Sequence, residues 1–374
     1  AGVYYPDKTK VGWWKNGYPE YFAKVLNAPN WIGIEVIISG EVLDLSKVAE
    51  IKAFRRELNM KEGWYRRNFE VVLNNGAQVR VESIRFLSLT LDEVGAISYQ
   101  ITPISGAVDL EIRPYIDSAI KNRDSNWDDA FWTTTAVTQK SNRAFIEAHT
   151  NKTYFYTCTF MQANLDVNGR AIKPAGEESD AKRASLHFVT RVSAGETATL
   201  TKFGGYTVSR YHDKNKLIEA AEVALDKASG FGFNGLLALQ IESWAQIWKR
   251  SDIRISGDVK AQQGIRYNIF HLNQTYLGKD PDLNIGPKGF TGEKYGGSTY
   301  WDTEAYCLPF YMVTKSEEVA RNLLAYRYRQ LDKAIENAKK LGFTSGAALY
   351  PMVTMNGEEC HNEWEITFEE IHRN

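Results

Sequence analysis

The chain has 374 residues, 43% hydrophobic and 24% charged, which describes a globular protein with apolar material for two or three cored domains. A net charge of −1 offers no cationic surface to a nucleic-acid backbone, and no apolar run reaches membrane-spanning length. Three scattered cysteines, Cys158, Cys307 and Cys360, make no disulfide framework and fit a reducing, cytoplasmic setting.

Up to about residue 210 the sequence reads as strands. Residues 31–38 form an apolar run bounded by turn formers. Residues 68–73 and 78–84 flank Asn74-Asn75-Gly76, the clearest hairpin signal in the chain. Strand character continues at 84–89, 97–101, 108–113, 153–161, 187–192 and 198–206. Many short strands separated by turn signals predict a large β-sandwich. Arg55, Arg56, Arg66 and Arg67 sit among Glu57 and Glu62 in this pattern and read as a solvated sheet face, not as a polyanion site.

The period then turns helical. Helices are expected over 214–228 and 231–250, and over 259–276 with Ile265, Ile269, Leu272 and Tyr276 on one stripe. A glycine loop follows, then helices over 303–314 and 316–340. The latter has Ser316 at its N-cap, Glu317 and Glu318 in its first turn and Gly342 just beyond it. This divides the chain into a sandwich domain, 1–212, a helical linker, 213–257, and a helical domain, 258–374.

Two stretches carry chemistry. Residues 289–304 hold four glycines and end in Tyr300-Trp301-Asp302-Thr303-Glu304. An indole face packs on the C–H face of a pyranose, and a carboxylate beside it accepts sugar hydroxyls. The alternative is that Asp302 or Thr303 caps the following helix and Trp301 is core. Between Glu358 and His372 lie six carboxylates, two histidines and a tryptophan. Paired carboxylates can catalyse glycoside chemistry, and they can equally be an exposed acidic helix start. Cys360-His361 has no second cluster to complete a metal site.

A sandwich, linker helices and a helical domain with Trp-Asp-Thr-Glu after a glycine loop resemble family 65 of the glycoside hydrolases, chiefly disaccharide phosphorylases acting on α-glucosides. Tyr5-Pro6-Asp7-Lys8-Thr9, Gly12-Trp13-Trp14-Lys15-Asn16-Gly17-Tyr18-Pro19, the run 300–304, Asn322 to Gln330, and 346–374 carry the likeness, which extends over essentially the whole chain. Ser298 departs from many members, which have His there. The resemblance implies an N-terminal super-β-sandwich, a helical linker and an (α/α)6 barrel. A twelve-helix barrel needs well over about 200 residues, so 258–374 is expected to hold only its first part, in a chain lacking both natural ends.

The activity implied is inverting phosphorolysis, with maltose and phosphate giving β-glucose 1-phosphate and glucose. Inorganic phosphate is then the co-substrate, with no metal or organic cofactor, and the enzyme is a homodimer. Trp301 and Asp302 would hold the donor glucosyl unit. His361, Asn362, Glu363, Trp364, Glu365 and Thr367 would shape the acceptor subsite, where this stretch resembles the version in members acting on maltose. The family's general acid lies on a Gly-(Ala or Pro)-Asp-Glu motif that does not occur in these residues, so it is expected downstream of Asn374 and none is named here. Alternatives are a trehalose, kojibiose or nigerose phosphorylase, a trehalose hydrolase, or a non-catalytic carbohydrate-binding protein.

Overall fold

A computed structural model describes residues 3–10, 20–286 and 298–359. Strands β1 (Tyr4–Lys8) and β2 (Tyr21–Val25) form a separate antiparallel ribbon. The sandwich follows with β3 (Ile34–Ile38), β4 (Glu41–Val42), β5 (Glu50–Asn59), β6 (Trp64–Val72), β7 (Gln78–Leu87), β8 (Val94–Ser105) and β9 (Val108–Asp117). It continues with β10 (Trp132–Lys140), β11 (Arg143–Thr150), β12 (Tyr156–Val167), β13 (Arg170–Ile172), β14 (Gly176–Ser179), β15 (Arg183–Val192) and β16 (Ala198–Val208).

The larger sheet runs β10-β11-β12-β16-β8-β7-β6-β5, with β13 added on β12, and the smaller runs β14-β15-β9-β3-β4. Alternate residues of the two sheets meet in a core that includes Ile38, Phe69, Ile101, Leu110, Ile146, Phe188 and Leu200. The Asn-Asn-Gly hairpin joins β6 to β7 as its turn chemistry requires, with Gly76 at φ 83°. Glu41 accepts the Asn74 and Asn75 backbone N–H groups at 3.0 and 2.9 Å, and these bonds hold its carboxyl below the usual range.

Most strands run longer than expected, the runs 78–84 and 84–89 are one strand, and β1, β2, β10 and β11 were not anticipated; two boundaries have a visible cause. Residues 31–33 stay out of β3 because the Trp31 indole is packed hard against the sheet. A Cβ on Gly95 would lie 2.5 Å from that ring, and one on Gly204 2.6 Å. β12 starts only at Tyr156, since Lys152 and Tyr154 have φ of 66° and 49° in a left-handed turn. The arginine-rich stretch forms β5 and the start of β6, with β5 almost wholly exposed.

Helix α1 (Leu217–Ser251) lies on the outer face of the large sheet, where Leu217, Ala221, Leu225 and Leu236 cover Phe86, Phe145, Phe160 and Phe203. It unites the two helices expected there and breaks at Gly232, φ 66°. Helix α2 (Val259–Thr275) starts on the Asp258 side chain, which accepts the Ala261 N–H. Then come β17 (Thr299–Tyr300), a π-helical turn at Thr303–Cys307, α3 (Leu308–Thr314), α4 (Glu317–Tyr328), α5 (Leu331–Lys340) and β18 (Val353–Thr354).

The single helix expected over 316–340 is therefore two. Gln330 leaves helical geometry at ψ 15°, and its N–H closes a tight turn on the Arg327 carbonyl at 2.9 Å. At the break Arg329 pairs with Asp282. Ser316 occupies the N-cap position with extended backbone, but its side chain makes no capping bond.

The β1–β2 ribbon sits between sandwich and helices. On one side Tyr5 stacks on Phe131 at 4.1 Å, beside Trp132. On the other, Ala23 packs with Tyr300, Tyr326, Val353 and Met355. A second tie is electrostatic: Arg210, just past β16, bonds Asp280 at 2.7 Å and Asp282 at 2.9 Å.

Lys202 is fully buried in the sandwich and donates to the carbonyls of Gly33 and Tyr115 at 2.8 Å each. Burial holds its pKa well below the ordinary lysine value. Between the folded and unfolded pKa values the unfolded chain binds the extra proton, so stability rises with pH through that window. Comparing denaturant unfolding of wild type and Lys202→Met checks this. The wild type should gain on the variant as pH rises from about 7 to about 9.5, by up to about 1.4 kcal/mol per pH unit. A pH-independent difference would mean that the folded lysine is charged.

Candidate functional site

The site is built where three segments meet: 298–304, α4, and 350–359. Tyr300 pairs with Val353 across the short β17–β18 ladder, and the Tyr326 hydroxyl of α4 donates to the Met355 carbonyl at 2.8 Å. Thr303 is fully buried and donates its hydroxyl to the Ile285 carbonyl at 2.6 Å, tying down the chain just before the glycine loop.

Trp301 and Asp302 occupy the first turn above this base. Trp301 is 40% exposed. Asp302 has helical dihedrals, φ −55° and ψ −31°, and its side chain makes no capping bond. Asp302 therefore makes no cap, and Thr303 serves as a buried anchor to Ile285 and not as the cap the alternative expected. Directly below them the Leu308 N–H reaches back five residues to the Thr303 carbonyl. Pro309 accounts for the wide turn. It has no N–H, and in a regular helix its ring would strike the Ala305 carbonyl.

Glu304 points inward. Its carboxylate receives Arg327 Nε at 3.1 Å and Nη2 at 3.2 Å, a two-pronged pair, and Asn284 Nδ2 at 3.1 Å. The third guanidinium nitrogen, Nη1, donates to the Pro351 carbonyl at 3.1 Å. The Arg327 side chain is 9% exposed and that of Glu304 21%, so the pair is largely withdrawn from water. Asn322, one turn earlier on α4, donates to the Gly278 carbonyl at 2.7 Å. Burial, reinforced by the charges of Glu304 and Asp302, pushes the Cys307 thiol up, which keeps it protonated and inert. Burial, with Asp280 and Glu304, pushes the Tyr276 hydroxyl up to about 12.

Of the second stretch only its start is described. Glu359 is 2% exposed and accepts the backbone N–H groups of Met352 and Val353 at 2.7 and 3.2 Å, a structural role. Glu358 accepts the Tyr21 hydroxyl of β2. His361, Asn362, Glu363, Trp364, Glu365 and Thr367, with Cys360 and the glycines at 289, 292, 296 and 297, lie outside the described residues. Sequence reasoning counted residues 322–330 in the family likeness but gave no role to Asn322, Arg327 or Asn284. The signal was there: Asn322 and Arg327 fall on the buried stripe of α4 with Val319, Leu323 and Tyr326, where polar residues need partners.

Removing one member of such a pair leaves a buried charge unmatched. Glu304→Gln should lower stability by about 3–5 kcal/mol, while the double variant Glu304→Gln, Arg327→Met should recover much of it. Unfolding of both variants by denaturant checks this, and equal destabilisation of single and double variants would contradict it.

Two family models match the chain: the N-terminal domain of glycosyl hydrolase family 65 over residues 1–247, and the family 65 central catalytic domain over residues 266–374. The chain is 47% identical to maltose phosphorylase of Bacillus subtilis over 374 residues, covering all of this chain and 48% of that protein. It is 33% identical to an alpha,alpha-trehalose phosphorylase of Thermoanaerobacter brockii, over 92% of this chain and 45% of that one. A solved structure from the human microbiome, described provisionally as a kojibiose phosphorylase, superposes with a TM-score of 0.87 at 28% identity, over 98% of this chain and 47% of that one. The chain spans about half the length of the curated relatives it matches. A sandwich followed by helices, with the Trp-Asp turn seated on its buried ion pair, and domain models covering both halves of the sequence place this chain in glycosyl hydrolase family 65.

Proposed function

We propose that the whole protein is an inverting disaccharide phosphorylase converting maltose and inorganic phosphate to β-glucose 1-phosphate and glucose. The observation that carries the reading is the Trp301–Asp302 pair. An indole 40% exposed and a carboxylate not spent on capping stand together on a rigid base. Such a base supplies the preorganisation that sugar binding needs. In this reading the indole takes the apolar face of the donor glucosyl unit and Asp302 accepts its hydroxyls. Each charge-assisted bond is worth about 1.5–3 kcal/mol.

An inverting hydrolase needs a second carboxylate to activate water. Phosphate arrives already anionic and nucleophilic, so one general acid suffices, and we place that acid beyond Asn374. Residues 1–212 act as the sandwich domain, 213–257 as the linker and 258–374 as the first part of the barrel. His361, Asn362, Glu363, Trp364, Glu365 and Thr367 line the acceptor subsite. The 47% identity to a maltose phosphorylase, against 33% to a trehalose phosphorylase and 31% to a kojibiose phosphorylase, favours maltose. We place the enzyme in the cytoplasm as a homodimer.

The test is phosphate dependence in the whole protein. Glucose 1-phosphate should form from maltose only when phosphate is present, and glucose release without phosphate would make it a hydrolase. Asp302→Ala should lose activity at least 100-fold, on the order of the two hydrogen bonds removed, with an unchanged melting temperature. A variant that unfolds would return Asp302 to a structural role. Residues 1–374 alone should release no glucose 1-phosphate, and release would show that the acid lies within them.

A further inference from the structure

A cavity of about 550 Å3 opens where the sandwich meets α1 and α2, within the roughly 300–1,000 Å3 of small-molecule sites. Its wall is aromatic, with Trp31, Trp64, Tyr65, Trp244 and Phe270, and it shares no residue with the Trp301–Asp302 turn. Bonds between the elements that meet there fix the wall. Gln240 of α1 accepts the Leu89 N–H and donates to the Gly63 carbonyl, both at 3.0 Å. Trp248 Nε1 donates to the Met60 carbonyl at 2.9 Å, and Trp244 of α1 stacks on Phe270 of α2 at 4.5 Å. Trp244 is 1% exposed and packs so closely on Gly63 that a Cβ there would come within 1.8 Å of its Nε1. That Nε1 has no partner among the described residues, an unspent donor in a wall where buried donors are normally paired.

The charges around the cavity are unbalanced. Arg85 lines it, exposed, with its guanidinium 5.0 Å from the ring of Tyr65, its partner across β6 and β7. Its side chain has no hydrogen-bond or ion-pair partner among the described residues. Arg67 and Arg56 continue the same face, opposite each other across β6 and β5. Like charges so placed weaken a sheet, and neither meets a carboxylate among the described residues. The carboxylates near them in sequence are committed: Glu57 pairs with Arg55 at 3.0 Å, and Glu62 accepts the Trp64 indole N–H at 2.7 Å. Asp92, also in the lining, has its charge matched by Lys279 at 2.6 and 2.8 Å. It keeps lone pairs for further donors, and Gln274 adds an amide oxygen.

We infer that this cavity is a second ligand site and that it takes a phosphorylated hexose. A free guanidinium grips a phosphate with two parallel bonds. The aromatic wall takes the C–H face of the pyranose, and Asp92 and Gln274 accept its hydroxyls. The assignment does not depend on the proposed reaction.

Calorimetric titration of the whole protein with glucose 6-phosphate, inorganic phosphate and adenosine monophosphate tests it, on wild type, Arg85→Ala and Gln274→Trp. The last variant fills the cavity without touching the arginine. Wild type should bind glucose 6-phosphate at least about ten-fold more tightly than phosphate or the nucleotide, and each variant should weaken that binding at least about ten-fold. Melting temperatures should not change. Absent binding in wild type overturns the assignment, as does unchanged affinity in a folded variant. Equal affinity for bare phosphate, or tighter binding of the nucleotide, overturns the sugar. Arg85→Ala should leave turnover of maltose with phosphate within about two-fold of wild type, and a ten-fold loss with folding intact would place Arg85 in the reacting site and overturn the separation. If wild type shows no such turnover, the phosphorylase reading fails, while the titrations still decide on the cavity.

Discussion

The candidate site depends on one buried interaction, the two-pronged contact between Glu304 and Arg327. Trp301 and Asp302 precede Glu304 by one turn of chain, and Arg327 belongs to α4. The free prong of the guanidinium holds Pro351, at the start of the segment that leads toward the acceptor residues. One planar, permanently charged group thus sets the relative position of three pieces distant in sequence. A lysine could not, because it has no second and third donor in fixed directions. Withdrawing the pair from water costs desolvation energy, which the Asn284 bond and the Pro351 carbonyl offset by satisfying the remaining polar valences.

The sandwich is coupled to this base through the β1–β2 ribbon. Its two faces bury different aromatic clusters, one with Phe131 and Trp132 of the sandwich and one with Tyr300 and Tyr326 of the helical part. Arg210 with Asp280 and Asp282 adds a second tie near the chain's exit from the sandwich. Arg210 keeps the Asp280 carboxyl below the ordinary range, so the tie persists at neutral pH. A domain that only enclosed a core would not need both links. Their presence fits a sandwich that positions residues for the catalytic domain.

The sandwich was legible because period-two alternation and turn chemistry are local. Asn74-Asn75-Gly76 announced its hairpin from adjacent residues, and the change to a helical period announced α1 and α2. Non-local effects were not legible. Trp31 looked like a strand residue, yet its ring needs the bare backbones of Gly95 and Gly204, far off in sequence. The break at Arg329-Gln330 lies within an unbroken helical pattern and follows from partners such as Asp282 that no spacing rule could supply. At the site, the sequence singled out Trp301 and Asp302 by residue type. It could not tell which neighbouring carboxylates were already committed: Glu304 to Arg327, Glu359 to the backbone of Met352 and Val353, and Glu358 to Tyr21.

The central claim is that Trp301 and Asp302 hold the transferred sugar. A crystal structure of the whole protein with a glucose-containing ligand tests it directly. The account predicts a pyranose ring lying on the Trp301 indole, with two of its hydroxyls within about 2.5–3.0 Å of the Asp302 carboxylate. A sugar bound with no contact to Asp302, or an Asp302 side chain turned into a protein hydrogen bond in the complex, would contradict it.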